Sequence, residues 1–268
     1  MIAYINRGFI AEQSLADILR RYFDRLNFDE LYNNFHLTIT NDHPFAHLII
    51  HPDSANTADV FPSIVVTTQS DEKVPDMSNM VQQITPMEYD AADIDSFMKY
   101  KREKFIIDEE SGEIKYIKDK QGNQVYEPIP GYCLVIDEKK CQKLKEISEE
   151  HPLYGISIST RRRDHISVEI WAENNQLKNE LYEHLKLFFE GHFINALNEF
   201  YRPFNPVVLG STIRGERSNN FNLDFDMALY GANITFDIDY NVEQIVIDTD
   251  IEKPEEIVTE VINRVKEK

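Results

Sequence analysis

Apolar and polar positions alternate along the chain with two different periods. Between Ser14 and Leu31, the apolar residues Leu15, Ile18, Leu19, Tyr22, Phe23 and Leu26 return every three or four positions. Asp17, Arg20, Arg21, Asp24 and Arg25 fall on the opposite face, so an amphipathic helix is predicted, and Ser14 is placed to cap it. Short apolar runs at Phe35–Thr40, Ala46–His51 and Ile64–Thr68 predict strands, the last opened by Phe61-Pro62. From Asp71 to Glu88 the chain is polar, carries Pro75 and Pro86 and keeps no period, which predicts a long excursion.

A different texture follows. A short helix (Ala91–Lys101) leads into Phe105–Ile107, Ile114–Ile117 and Gln124–Tyr126, which are separated by Glu110-Ser111-Gly112 and Lys120-Gln121-Gly122-Asn123, turn signals for a small meander. Cys133–Ile136 is a further strand, and Glu138–Glu150 a helix closed by His151-Pro152. A hairpin is predicted next: Ile156 and Ile158 alternate with Ser157 and Ser159, Arg161–Asp164 turn the chain, and Ile166, Val168 and Ile170 alternate with Ser167 and Glu169. Asn174 or Asn175 can cap a helix with the stripe Leu177, Leu181, Leu185, Phe188 and Phe189, ending near Gly191. A second helix, Phe193–Phe200, precedes Pro203 and Pro206 and a strand from Val207 to Ile213. Ile234, Phe236 and Ile238 form a strand that turns near Asn241 and resumes at Ile245 and Ile247. Pro254 opens a final helix carrying Ile257, Val258, Val261, Ile262 and Val265.

These elements predict an α+β fold: a mixed, mainly antiparallel sheet flanked by helices, made from residues 1–88 and 132–268. Residues 89–131 are predicted to be an inserted subdomain of one helix and a β-meander. The 42% hydrophobic content of the 268 residues suffices for a packed core. No apolar run nears the roughly 20 residues that cross a bilayer, and no secretory leader pattern opens the chain, so a soluble protein without membrane contact is expected. Cys133 and Cys141 lack a His cluster and CxxC spacing, and are expected to be reduced thiols. With 28 Lys and Arg against 47 Asp and Glu, the net charge of −19 disfavours general attachment to a phosphate backbone.

Candidate chemistry is sparse. Gly210-Ser211, followed by Asp224-Phe225-Asp226, is similar to a nucleotidyltransferase signature, in which a glycine-serine turn approaches a triphosphate and paired carboxylates hold divalent metal. Against that reading, Thr212–Asn222 lacks the apolar stripe of the helix that should follow the turn, and a third carboxylate, Asp237 or Asp239, equally fits the wet phase of a strand. His47 and His51, four apart on a strand, would sit about 13 Å from each other, too far to share a metal. No catalytic, cofactor or metal residue is therefore assigned. Arg161, Arg162 and Arg163 at a hairpin tip, with Arg214 and Arg217, are candidates for docking to carboxylates of a neighbouring subunit or for touching passing phosphates; a solvated turn is the plain alternative.

The order of elements also resembles a known family. The N-terminal amphipathic helix, the segment Phe61-Pro62-Ser63-Ile64-Val65-Val66, the Ser/Arg-rich hairpin running through Ile170-Trp171-Ala172 into the Asn175–Glu190 helix, and Leu229-Tyr230-Gly231-Ala232 before Ile234–Tyr240 are similar to the tail terminator (tail completion) proteins of contractile-tailed bacteriophages. The likeness spans about residues 10–70 and 150–250; the segment from about 71 to 150 is longer than the minimal family fold. The resemblance implies a virion protein of the tail and neck, assembled in the host cytoplasm. It implies a homo-hexameric ring that stops the tail tube, engages the last sheath disc and joins the neck and head-completion proteins. Six copies at −19 each would carry −114, a sign that lets genomic DNA pass through a channel without specific binding.

Overall fold

The computed structural model describes residues 1–26, 37–42, 61–74, 83–107, 114–209, 214–222 and 228–250. The fold is α+β, a mixed and mostly antiparallel sheet with helices packed on it. Two long strands, β10 (Leu153–Ala172) and β13 (Ala228–Asp248), form its spine and pair antiparallel from Gly155↔Ile247 to Ala172↔Tyr230 without a break in register. Strand β10 also pairs with β3 (Ser63–Lys73) and β4 (Gln83–Tyr89). Beyond β3 lies the short parallel strand β2 (Thr38–Thr40). Strand β13 pairs along its other side with β1 (Ile2–Phe9), β11 (Val207–Val208) and β12 (Arg214–Asn222), and β1 in turn holds β9 (Tyr132–Val135).

The predicted hairpin at Arg161–Asp164 is instead the middle of one continuous strand. The stretch holds no Gly, Asn or Pro to turn the chain, and Ile156, Ile158, Ile166, Val168 and Ile170 all keep the same phase through it. The turn expected near Asn241 is likewise absent, and Asn241 pairs opposite Arg161 inside β13. There the apolar phase does change, from even residues (Ile234, Phe236, Ile238) to odd ones (Ile245, Ile247), because the core changes sides. Even positions of the first half pack with α1 (Ala11–Arg25), α4 (Asn175–Leu187) and α5 (Phe193–Tyr201). Odd positions of the second half pack with α2 (Ala91–Phe97) and α3 (Glu138–Ser148) through Ile94, Phe97, Cys141 and Leu144. Each apolar side chain fully buried in these layers contributes about 1.5–3 kcal/mol.

Helix α1 begins one turn earlier than predicted. Ile10 rather than Ser14 is its N-cap, and the Ser14 hydroxyl donates to the Ala11 carbonyl at 2.8 Å. Ala11, Glu12 and Gln13 are good helix formers and carry the helix back to the end of β1. Gly131 closes against this first turn: its carbonyl accepts from Ile10 N at 2.8 Å, and at φ +82° a Cβ would lie 2.8 Å from Ser14 N. Residues 27–31 of the predicted helix, the strand at 46–51 and the helix at 254–265 lie outside the described residues.

The excursion predicted at Asp71–Glu88 is corrected too. β3 runs on to Lys73 and β4 occupies Gln83–Tyr89, where Pro86 is tolerated because, among the described residues, β4 pairs on one side only. Helix α2 is shorter than expected and opens on a reciprocal cap between Asp90 and Asp93. β6 (Phe105–Ile107) pairs with β7 (Ile114–Tyr116), and β5 (Lys101–Glu103) with β8 (Tyr126–Pro128), as two separate small sheets. Asn174 caps α4 through Gln176 N at 2.7 Å. α4 does not stop at Gly191; a π-helical turn, Phe188–His192, carries it directly into α5. That turn puts Phe189 and Phe193 against Phe236, with ring centroids 5.0 and 5.5 Å apart.

Candidate interaction face

Because Arg161, Arg162 and Arg163 are consecutive in a strand, the structure divides them between two faces rather than gathering them at a tip. On the odd face Arg161 donates to the Asn205 carbonyl and to Asn241 Oδ1, each at 3.0 Å. Arg163 grips Asp239 with two N–H donors (2.7 and 3.1 Å) and reaches Glu72 at 3.2 Å, a fork geometry suited to a carboxylate. One step along, His165 Nδ1 lies 2.5 Å from Asp237 Oδ1. Towards β1 the row continues with Ser157 and Arg7, both bonded to Glu243. Cross-strand neighbours share a face, so β1, β13, β10 and β3 together carry a ladder of paired charges.

The even face treats its polar groups differently. Arg162 pairs with Asp71 near the surface, whereas Asp164 is buried beside the core and its two oxygens accept from the Tyr240 hydroxyl at 3.0 Å each. Burial pushes the Asp164 carboxyl above its ordinary value, with the Tyr240 hydrogen bond opposing the shift. Burial and the neighbouring Asp164 raise the Tyr240 hydroxyl as well.

A second ionic cluster escaped the sequence reading. Asp17, placed there on the wet face of the first helix, is only 6% exposed and receives both terminal nitrogens of Arg102 at 2.8 and 2.9 Å. Arg102 Nε reaches Glu127 at 2.9 Å, and Arg21 reaches Asp17 at 3.1 Å. Burial pulls Arg102 down, but its bonds to Asp17 and Glu127 outweigh this and leave it above its ordinary value. Burial lowers Arg21, with Asp17 opposing. The cluster fastens β5 and β8 to α1. Only the sign of the charges could have hinted at it, since nothing local in sequence links positions 17, 102 and 127.

Arg214 and Arg217 occupy β12 positions opposite Thr235 and Ala232. Within Thr212–Asn222, read as lacking the stripe of a helix, residues Arg214–Asn222 form a strand. Gly210, Ser211, Asp224, Asp226, His47 and His51 lie outside the described residues. The two carboxylates considered as a third metal ligand, Asp237 and Asp239, are engaged by His165 and Arg163. Both cysteines are free thiols, Cys133 exposed and Cys141 buried, where desolvation raises its pKa. No helix among the described residues is long and apolar enough to cross a membrane. Compared with protein-family models and with curated proteins, the chain matches none.

Proposed function

We propose that this chain is a structural component of a phage particle, a tail terminator that closes the tail tube as a ring of six copies and offers its outer surface to sheath and neck proteins. The observation that carries the reading is the ladder. Arg162 and Arg163 are paired with Asp71, Glu72 and Asp239 of the same chain and Arg161 is held by Asn241 and the Asn205 carbonyl, so the triplet forms no free basic patch against a net charge of −19. A channel walled by such subunits repels a phosphate backbone instead of holding it.

The sheet also ends, among the described residues, in the short edges β2 and β9, and β9 presents Val135 at 62% exposure. Such edges are satisfied when a ring closes. In this reading the arginines keep the carboxylates in a fixed array, and Arg162, at 38% exposed, retains more reach towards a partner than Arg163 at 26%. The test is growth of tail tubes from tube protein with and without the purified chain. Tubes that stop elongating once it is added support the reading, and unchanged growth refutes it.

A further inference from the structure

A small cleft opens between α1 and α5. Arg21, Tyr22 and Arg25 of α1 line one wall, Glu199 of α5 lines the other, and Phe188 and His192 of the π turn close the space between them. The turn shapes this space. Phe193 N donates to the Phe188 carbonyl, five residues back, and the turn sets Phe188 and His192 against the Tyr22 ring at centroid distances of 5.0 and 5.4 Å. Isolated π turns within helices are rare and recur at functional sites. Phe188, with no exposed surface, makes the floor apolar, while Arg25, His192 and Glu199 are exposed at the rim. The cleft holds about 170 Å³. Sites for drug-sized ligands take roughly 300–1,000 Å³, so only a smaller molecule fits.

The two walls carry opposite charge. Arg25 and Glu199 face the same cleft, yet neither forms an ion pair with the other or with any other described residue. Closing such a solvated pair on itself would gain little, whereas a ligand with both charges meets each with its complement. Arg21 lies deeper, its side chain 14% exposed, and it shares Asp17 with both terminal nitrogens of Arg102. We propose that the cleft binds a small α-amino acid, with its carboxylate on Arg25 and Arg21, its ammonium on Glu199 and its apolar side chain against Tyr22 and Phe188. Guanidinium groups present forked donors that match a carboxylate, and a carboxylate accepts from an ammonium in a charge-assisted bond. The site goes beyond the proposed structural role and does not depend on ring formation.

The test is titration of the full chain with leucine and with phenylalanine, followed by saturation-transfer NMR. Each is compared with two analogues, the amine that lacks the carboxylate and the acid that lacks the ammonium. Both amino acids should bind about tenfold more tightly than either analogue. Arg25→Gln and Glu199→Gln, at exposed positions, should each weaken binding about tenfold and leave the thermal midpoint unchanged. Lys186→Gln, which alters an exposed cation of α4 outside the cleft, should change neither. Three outcomes overturn the proposal: no saturation transfer to either amino acid, analogues that bind as tightly as the amino acids, or unchanged affinity in Arg25→Gln or Glu199→Gln.

Discussion

Replacing Arg102 by alanine tests whether the ionic cluster is a structural fastening. The Arg102 side chain is 13% exposed and that of Asp17 is 8%, so the pair sits mostly out of water. Removing the guanidinium takes two bonds from Asp17 and one from Glu127, leaving a largely buried carboxylate with, among the described residues, only Arg21 paired to it. Breaking one side of such a pair costs about 3–5 kcal/mol; because Arg21 remains, about 3 kcal/mol is expected. In a chain of this size that corresponds to a drop in Tm of about 6–12 °C. The assay is urea unfolding, with the midpoint falling and the slope unchanged. Asp17→Ala and the double variant complete a cycle, and their effects should fall short of additivity by more than about 1 kcal/mol. A loss below about 1 kcal/mol, or full additivity, would show that the cluster behaves as a solvated surface pair and would refute the reasoning.

Other consequences follow from single groups. Gly131→Ala forces a Cβ to 2.8 Å from Ser14 N in a left-handed backbone, and should cost at least about 1–2 kcal/mol, read as a lowered thermal midpoint. Asp164 has a folded pKa above its ordinary value of 3.8, so the native state holds its proton longer than the unfolded chain does. Stability should therefore fall as pH rises from about that value through the raised one and then level off. Asp164→Asn should remove this part of the slope, measured as the difference between wild-type and variant melting curves from acid to neutral pH. Asp224→Asn with Asp226→Asn should leave tube capping intact; calorimetric titration with magnesium and a nucleoside triphosphate checks the enzymatic alternative, which a binding signal lost in this variant would favour.

Much of the architecture is legible in the sequence wherever one face is covered throughout. The stripe of α1, the cap at Asn174 and the odd/even alternation of β10 each report a local rule. Legibility fails where tertiary packing changes the rule midway. In β13 the apolar phase flips at Asn241 because the covering helices pass from one side of the sheet to the other, and a flip of phase reads like a turn. The arginine triplet reads as a loop because its partners, Asp71 for Arg162, Glu72 and Asp239 for Arg163, and Asn241 for Arg161, are far away in sequence. β4 hides behind Pro86, which an edge strand accommodates. The α4–α5 junction hides behind Gly191, which the π turn simply absorbs. Asp17 illustrates the same limit for the ionic groups: its position on the helix marks it as wet, and only the approach of Arg102 from an element 85 residues away buries it.

The central claim, a six-membered ring seated on a tube end, is tested most directly by electron microscopy of tube ends incubated with the purified chain. One extra disc of density with six-fold symmetry, contributed by this chain, is the expected image. Bare ends, or copies scattered along the tube wall, would contradict it.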